Sequence, residues 1–304
     1  MPKFSRFKLE ELLSLVPIDF SHPLVRRQKV SALLRFISWQ IKSRLIQRDF
    51  VFSWIGDSKF YVRNGENGLT QNIYVGLQEF EEMCLTLHLL KPGDLFVDAG
   101  SNSGSYSILA GRVARSDVIA IEPIKSTYYR LKRNMELNAI TNNTELLNVA
   151  LGASTGELKM TANEDTTNHV VSDSTLDTTE LVRLETIDQV LKSRSPILVK
   201  IDVEGWESEV LSGGTELLAD RKLKAIIIEL NESGLRYGYD DLQLIAQLKR
   251  YDFEMFSYDP FERILIPLES KRQGGGNTIF IRDLEYVLQR IQSAPYRKIL
   301  SFYL

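Results

Sequence analysis

Short apolar runs alternate with segments of helical periodicity from residue 94 onward. Strand-like runs occur at LFVDAG, VIAIEP, LLNVALG, ILVKIDVEG and AIIIELN, and two later ones at FEMFSYD and NTIFIRD. Between them, apolar residues recur at helical spacing near 104–113, 125–138, 206–211 and 240–251. Strands that are apolar along their whole length are typical of sheets buried on both faces. The pattern predicts an α/β fold with a seven-stranded, mostly parallel sheet and helices on both faces.

The first 75 residues follow a different pattern. In KVSALLRFISWQIKSRLI, cations are interspersed with apolar residues at helical spacing, namely Val30, Leu33, Leu34, Ile37, Ile41 and Leu45. Two short strand-like runs, FVFSWIG and KFYVRNG, flank Asp57 and Ser58, which predicts a β-hairpin. We therefore divide the chain into residues 1–75, a basic helical segment and hairpin that acts as a lid or interaction module, and the main domain, residues 76–304.

Charge is unevenly distributed along the chain. The net charge is −3, yet residues 1–48 carry ten Lys or Arg and three Asp or Glu. Two interpretations of the predicted basic helix stay open: it packs against the main domain with its cations in solvent, or it contacts an anionic membrane or a phosphate-bearing substrate.

The apolar runs and the single cysteine bear on where the protein is located and on its redox chemistry. No apolar run approaches the roughly 20 residues that cross a bilayer, and the N-terminus lacks a secretory apolar core, so we expect a cytoplasmic protein. The single cysteine, Cys84, lies among apolar positions of a predicted helix, which predicts burial without chemistry.

The segment VDAGSNSG joins the first strand to the next helix and predicts a ligand-binding loop. A dinucleotide loop requires a glycine where this chain has Asn102, between Gly100 and Gly104, which argues against NAD. Asp98 precedes the loop, and Glu122 follows at the spacing where such folds accept hydrogen bonds from ribose hydroxyls. These two carboxylates favour a ligand with an ammonium group and a ribose but no pyrophosphate. S-adenosylmethionine (SAM) fits that description.

The motifs DAGSNSG, IEP, LKRNMELN, NVALG, KIDVEG and IIIELN follow one another as they do in FkbM-family methyltransferases. The chain resembles that family closely from Tyr74 to Asn231, and most specifically in VKIDVEGWESEVLSGG. Ala99, Ser101 and Ser103 stand where the family more often has Val, Ala and a larger aliphatic residue. The resemblance implies a Rossmann-like class I methyltransferase fold, SAM as the cofactor, and O-methylation as the reaction.

The resemblance also implies a set of cofactor-binding residues: Glu79, Asp98, Gly100, Ser101, Asn102, Gly104, Glu122, Pro123 and Ala150. Within it, the loop holds the methionine part, Glu122 holds the ribose, and Ala150 lies near adenine. Glu79 faces the cofactor amine or, in an alternative interpretation, is a charge that meets the macrodipole at a helix N-terminus.

Methylation of an alcohol needs a base, and histidine is the side chain that ordinarily titrates near neutral pH. His22, before a proline, and His88, on an apolar helix, are predicted to pack rather than react. His169 lies in the polar stretch ANEDTTNHVVSDSTLD, which follows the third strand and is able to reach over the sheet. We predict His169 as the general base.

KIDVEG places three further candidate catalytic residues, Lys200, Asp202 and Glu204, at the end of the fourth strand, and Glu229 ends the fifth. The carboxylates are expected to converge. Three roles stay open: they orient sugar hydroxyls, they orient His169, or Asp202 and Glu229 bind a divalent ion. Lys200 neutralises the group, and Glu204 has the alternative of a turn residue at the start of a helix.

Three functions from different classes compete. A SAM-dependent O-methyltransferase acting on a sugar hydroxyl of a glycan, glycolipid or glycosylated metabolite leads. A nicotinamide-dependent dehydrogenase and a non-catalytic binding module on a methyltransferase fold are the alternatives. Nucleic acid is disfavoured as a partner, because KIDVEG replaces the Asn/Asp-Pro-Pro-aromatic run that grips a flipped base.

Overall fold

Helices cover both faces of a central sheet in the computed structural model, which describes residues 16, 18–46, 48–63, 69–162, 168–171, 179–272 and 275–304. The strands are β1 (Phe50–Ser53), β2 (Lys59–Val62), β3 (Leu95–Ala99), β4 (Asp117–Ile121), β5 (Thr144–Leu147), β6 (Ala150–Leu151), β7 (Gly156–Thr161), β8 (Thr179–Glu185), β9 (Leu198–Ile201), β10 (Ala225–Glu229), β11 (Glu254–Asp259), β12 (Ile264–Pro267), β13 (Asn277–Ile281), β14 (Lys298–Ile299) and β15 (Phe302–Tyr303).

The helices divide between the extension and the two faces of the sheet. They are α1 (Lys29–Leu45), α2 (Thr70–Val75), α3 (Phe80–Leu89), α4 (Ser105–Ile108), α5 (Lys125–Leu137), α6 (Ile187–Leu191), α7 (Glu207–Ser212), α8 (Thr215–Ala219), α9 (Asp241–Lys249) and α10 (Leu284–Gln292), with a π-helical turn at Leu109–Ala114 and a 3₁₀ turn at Ser233–Tyr237. No helix within the described ranges combines the length and the apolarity needed to span a bilayer.

The central sheet has the order β12-β11-β13-β10-β9-β3-β4-β5. Strands β5, β4, β3, β9 and β10 are parallel neighbours, whereas β13 runs antiparallel to both β10 and β11. Alternate side chains of each strand enter two different apolar clusters, as Phe96 and Val97 do in β3. The predicted α/β fold with a mostly parallel sheet is confirmed.

Two details of the sheet differ from the prediction. An eighth strand, β12, pairs with β11 at one edge of the sheet. It has four residues, three of them exposed, and ends in Pro267, so it is too short to stand out as an apolar run. The single strand predicted at LLNVALG is in fact two. The chain leaves the central sheet at Asn148, whose amide donates to the backbone oxygens of Glu122 and Pro123 at 2.9 and 2.7 Å. Beyond it, β6 joins a separate sheet of order β6-β8-β7.

The N-terminal extension shares an apolar cluster with the central sheet. Leu24 and Trp39 are buried in the same cluster as Phe96 of β3. The predicted helix and hairpin are both present as α1, β1 and β2. The boundary at residue 75 stays a prediction, and residues 1–15 lie outside the described part of the chain.

The residues predicted to have only packing roles are buried. Cys84 is fully buried as a free thiol. The His22 ring lies 2.8 Å from the Leu77 carbonyl oxygen, and Nδ1 of His88 lies 2.6 Å from the Tyr258 hydroxyl. Burial lowers the pKa of His88 to about 3, so this ring is neutral at physiological pH.

Candidate active site

A cavity of about 290 Å³ opens at the carboxyl ends of β3, β4, β9 and β10. This is the edge at which parallel α/β sheets bind ligands. The cavity brings together twelve of the predicted site residues: Glu79, Asp98, Gly100, Ser101, Asn102, Glu122, Pro123, Ala150, Lys200, Asp202, Glu204 and Glu229. Gly104 and His169 are not part of its wall as the described residues form it.

The loop after β3 is shaped by a close backbone approach. Gly100 has φ +80°, and a Cβ built on it would lie 1.8 Å from the carbonyl oxygen of Asp202 at the end of β9. No side chain fits there, so Gly100 is what allows the ends of β3 and β9 to meet. Asn102 is also left-handed, with φ +47°, a conformation that Asn tolerates better than most residues.

Gly104 acts below the loop rather than in the cavity wall. It has φ +93°, and a Cβ there would lie 2.7 Å from Cδ1 of Leu131 and 2.8 Å from Cε of Met135. Both contacts come from α5. The structure therefore gives Gly104 a packing role at the start of α4, and a direct contact with a cofactor stays a prediction.

Glu122 joins the loop to the end of β4. Its two carboxylate oxygens accept hydrogen bonds from the backbone N–H groups of Asn102 and Ile124, each at 3.0 Å. Burial raises the pKa of Glu122 to about 7, although these hydrogen bonds favour the charged form. The carboxylate thus fixes the loop and still faces the cavity.

Asp98 is a second buried carboxylate at this end. Its Oδ2 accepts a 2.6 Å hydrogen bond from the Ser107 hydroxyl of α4. Burial raises the pKa of Asp98 to about 6, and the charge of Lys200 opposes that shift. A cation placed in the cavity would favour the ionised form of Asp98 in the same way.

The wall beside Glu122 is apolar. It is formed by Ile121, Ile124, Val149, Ala150, Leu151, Met160 and Val170. Ala150 therefore lies in an apolar slot that begins next to the carboxylate of Glu122. A flat, weakly polar ring attached to a diol is the kind of ligand that such a slot and carboxylate accommodate together.

The opposite end of the cavity holds three carboxylates, which we call the carboxylate cluster: Asp202, Glu204 and Glu229. Carboxylate oxygens of the three lie within 4.8 Å of one another. Burial, then repulsion from Asp202, raises the pKa of Glu204 to about 7 and that of Glu229 to about 8. Glu204 and Glu229 therefore exchange protons near neutral pH, and the protonation of one affects that of the other.

Lys200 is the sole basic side chain that the described residues contribute to the cavity wall. Its ammonium lies 2.6 Å from Oδ2 of Asp202 and 4.8 Å from the centre of the Tyr106 ring. Burial lowers the pKa of Lys200, but Asp202, Glu79 and Asp98 together raise it well above its ordinary value. Lys200 is thus a permanent cation that partly neutralises the surrounding acids.

Glu79 faces the cavity from the start of α3. Its side chain makes no capping hydrogen bond there and instead accepts one from the Tyr106 hydroxyl. Burial raises its pKa, while Lys200 opposes the shift. The contact with Tyr106 favours the interpretation in which Glu79 faces the cavity over the one in which it serves as a charge at the N-terminus of a helix. Sequence reasoning missed Tyr106, although its position two residues after Gly104 was a usable signal.

Trp206 is another wall residue. The sequence left two roles open for it: lining a sugar site or, as the commoner outcome for tryptophan, packing in the core. Its ring packs edge-on against Tyr237 at 4.9 Å between centroids. Its indole N–H is buried and has no hydrogen-bond partner among the described residues, and Oε2 of Glu229 is in the same state. The cavity therefore contains one donor and one acceptor that a polar ligand would satisfy.

His169 belongs to a short extended pairing with β7. Its backbone N–H donates to the Thr161 hydroxyl, and its carbonyl oxygen accepts from the Thr161 N–H, both at 3.0 Å. Its neighbours Asn168 and Val170 line the cavity, whereas His169 does not. Residues 163–167 and 172–177 of the predicted acceptor loop lie outside the described part of the chain. His169 as the base stays a prediction.

A parallel core closed by the antiparallel strand β13, with a carboxylate-rich cavity at its carboxyl edge, is the Rossmann-like methyltransferase fold implied by the resemblance. Residues 98–255, just over half of the chain, match the family described as the methyltransferase FkbM domain. The chain belongs to the FkbM family of methyltransferases.

Two curated relatives carry methyltransferase names. Hexuronic acid methyltransferase AglP of Haloferax volcanii is 28% identical over 155 residues, which is 50% of this chain and 62% of that protein. The match therefore spans less than two thirds of AglP. Methyltransferase sdnD of Sordaria araneosa is 25% identical over 194 residues, which is 52% of this chain and 74% of that protein.

Solved structures show a distant likeness. TYW2 of M. jannaschii, in complex with AdoMet, is 13% identical with a TM-score of 0.42, over 78% of this chain and 88% of that one. An rRNA methylase from Streptococcus thermophilus is 12% identical with a TM-score of 0.42, over 66% and 93% of the two chains. Likeness at this level adds nothing to what the strand order already shows.

Proposed function

We propose that this protein is a SAM-dependent O-methyltransferase that methylates a hydroxyl group of a sugar in a glycan, glycolipid or glycosylated metabolite. One observation carries the proposal. The cavity wall has six carboxyl groups and one amine, and an apolar slot begins beside one of those carboxyls. Membership of the FkbM methyltransferase family agrees with it.

The cofactor end fits a cationic adenosyl compound. The apolar slot around Ala150 would receive adenine, and Glu122 would accept hydrogen bonds from the ribose. Asp98 and Glu79 would face the positive charges of the methionine part. When bound, SAM would supply an electrophilic methyl group. A pyrophosphate would meet carboxylates in place of N–H groups, which argues against the dehydrogenase alternative.

The other end fits a hydroxylated acceptor. Oε2 of Glu229 is a potential hydrogen-bond acceptor and the indole N–H of Trp206 is a potential donor. Both are buried and have no partner among the described residues. A sugar presents the matching donors and acceptors. AglP is named for hexuronic acid, but here the sole cation of the described wall, Lys200, is already engaged by Asp202. We therefore propose that the sugar ring at the carboxylate cluster is uncharged.

The carboxylate cluster takes the proton from the acceptor hydroxyl in this proposal. A base works best when its pKa lies near the working pH, and burial and mutual repulsion place the pKa values of Glu204 and Glu229 at about 7 and about 8. Lys200 holds Asp202 in place and stabilises the ionised cluster. His169 is the alternative base, and a single substitution distinguishes the two.

Parallel calorimetric titrations with SAM, S-adenosylhomocysteine and NAD test the cofactor. We expect micromolar binding of the first two and none of NAD. Glu122→Gln should weaken SAM binding about tenfold, because a charged hydrogen-bond acceptor is lost. Glu136→Gln, an exposed acid on α5, should leave it unchanged. Binding of NAD alone would overturn the proposal.

Methyl transfer to a panel of neutral sugars and hexuronic acids tests the acceptor, with S-adenosylhomocysteine release as the readout. We expect turnover with neutral sugars and at least about tenfold less with the matching uronates, because the carboxylate would face the cluster. Faster turnover of the uronates would refute the uncharged acceptor while leaving the methyltransferase proposal intact.

A further inference from the structure

Helix α1 has two apolar faces. Ala32, Leu33 and Trp39 are buried against the rest of the protein. On the outward side a second row recurs in steps of three and four residues, so that its members share one face. This outer stripe consists of Val30, Leu34, Ile37, Ile41 and Leu45, whose side chains are between 43% and 78% exposed. A helix that only covers the domain needs no outer apolar row.

Exposed cations surround the outer stripe. Lys29, Lys42 and Arg44 lie on α1 itself, and Arg26, Arg27 and Arg48 flank its two ends. The chain has no Asp or Glu between residues 20 and 48. The three cations on the helix lie to either side of the stripe when the helix is viewed along its axis. An apolar row bordered by cations is typical of a helix that lies in a membrane interface.

The inner face holds α1 in a fixed orientation. The Arg35 guanidinium donates two hydrogen bonds, at 2.9 and 2.7 Å, to the backbone oxygen of Tyr74 in α2, and Phe36 packs edge-on against the Tyr74 ring at 5.5 Å. Arg35 is thereby withdrawn from the exposed cations. Because α2 also contributes Gln71 to the cavity wall, the stripe and the cavity belong to one connected structure.

We infer that the outer stripe and its cations form a docking site for an anionic phospholipid bilayer, on which the protein lies peripherally through α1. The apolar side chains enter the boundary between headgroups and acyl chains, and the cations meet anionic headgroups. This site is separate from the cavity and does not depend on the identity of the cofactor.

A second copy of the chain is the other occupant to consider, and charge argues against it. A two-fold contact through the stripe would bring two sets of like charges together, with no acid from this region to pair them. The stripe is also one helix wide, whereas a stable interface takes roughly 20 to 30 residues from each partner.

Flotation of the full chain with vesicles tests the inference. Vesicles of phosphatidylcholine with phosphatidylglycerol should carry the protein, and vesicles of phosphatidylcholine alone should not. The double variant Leu34→Asp/Ile41→Asp should bind the anionic vesicles at least about tenfold more weakly, since two apolar side chains that would enter the bilayer become charged. The matched control is Leu181→Asp/Leu242→Asp, two leucines that are 59% and 64% exposed elsewhere, and it should bind as the unaltered protein does.

The charge is tested separately. Lys42→Gln and Arg44→Gln should each weaken binding about fivefold, and added salt should have the same effect. All of the substituted residues are exposed, so the substitutions should not disturb the fold. An unchanged melting temperature and an unchanged SAM affinity would show that the fold is intact.

Three results would overturn the inference. The first is no binding of the unaltered chain to anionic vesicles. The second is equal binding to neutral vesicles or by Leu34→Asp/Ile41→Asp. The third is self-association in sedimentation velocity that this variant abolishes without any vesicle binding, which would assign the stripe to a second copy.

Discussion

Backbone contacts shape one end of the cavity, whereas ionisable side chains form the other. At the proposed cofactor end, the backbone decides the shape: Gly100 lets two strand ends meet, and Glu122 accepts hydrogen bonds from two backbone N–H groups. At the proposed acceptor end, ionisable side chains at the ends of β9 and β10 would decide the chemistry, because carboxylates surround one ammonium group. Backbone contacts hold the first end in shape, whereas at the second end repulsion couples the protonation of Glu204 to that of Glu229.

This difference predicts how each end responds to change. Alterations at the cofactor end should act on folding and on cofactor affinity, since they disturb the backbone. Alterations in the carboxylate cluster should act on turnover and its pH dependence, since they change where protons reside.

The largest effect is expected from the carboxylate cluster. Glu204→Gln or Glu229→Gln should lower kcat by about 10²- to 10⁴-fold, the usual contribution of a general base, with SAM affinity within about twofold. His169→Ala should change kcat by less than about threefold on the same scale. Steady-state kinetics with a responsive sugar acceptor measures both. If kcat instead falls a hundredfold in His169→Ala while Glu204→Gln and Glu229→Gln stay active, His169 is the general base.

The next effect is on folding. Gly100→Ala should lower the free energy of unfolding by about 3 kcal/mol or more, because its methyl group would overlap the Asp202 carbonyl. Gly93 is the matched control, since it has a similar φ of +86° and nothing within 4 Å of its Cβ position. Gly93→Ala should cost only about 1 kcal/mol. Urea denaturation compares them, and equal losses would show that backbone strain alone matters.

The pH profile of kcat should have an acid limb set by the cluster. A base acts only when deprotonated, so kcat should rise through the pKa values of Glu204, about 7, and Glu229, about 8, and then level off. Glu207 repels both carboxylates. Glu207→Gln should therefore move the limb to lower pH, while its side-chain oxygen still accepts from Val203 and Gly205.

Exposed Glu216 on α8 provides the control for that shift. Glu216→Gln should leave the limb in place. A limb that stays unmoved in Glu207→Gln as well would exclude the cluster as the titrating group.

The affinity for SAM should also depend on pH, more weakly. The pKa values of Asp98 and Glu122 are raised to about 6 and about 7, so both are protonated in acid and ionise as pH increases. Affinity for the cationic cofactor should increase up to about tenfold between about pH 5 and pH 8. Over this window the ligand-free protein should lose stability, because ionising a buried carboxylate favours the unfolded chain. Calorimetric titration with SAM at several pH values measures this dependence. An affinity that does not change with pH would contradict the prediction.

The smallest effect is expected from metal removal. Lys200 already supplies a cation to Asp202, so we expect treatment with EDTA to change kcat by no more than about twofold. Loss of activity that Mg²⁺ restores would instead assign a divalent ion to the carboxylate cluster.

Sequence reasoning succeeded where a residue's role follows from its immediate neighbours. The apolar runs predicted the core strands, and the loop with Gly100 was correctly expected to lie with Glu122 at the carboxyl edge of the sheet, because strand burial and tight turns are local properties. It did less well where partners come from distant segments. Tyr106 went without an assigned role, and core packing was favoured for Trp206, which lines the cavity. The strand β12 and the division of LLNVALG were missed as well, since all of these depend on packing against other parts of the chain.

The sequence by itself determined the parallel sheet, the glycine loop at the end of β3 and the presence of carboxylates at the ends of β9 and β10, because backbone preference and hydrophobic period are written in consecutive residues. Only the tertiary structure decided that Asp202, Glu204 and Glu229 lie together, that burial raises the pKa values of Glu204 and Glu229 to near neutral, and that one apolar face of α1 points outward. Distance, desolvation and exposure arise when remote segments pack, and a linear pattern does not contain them.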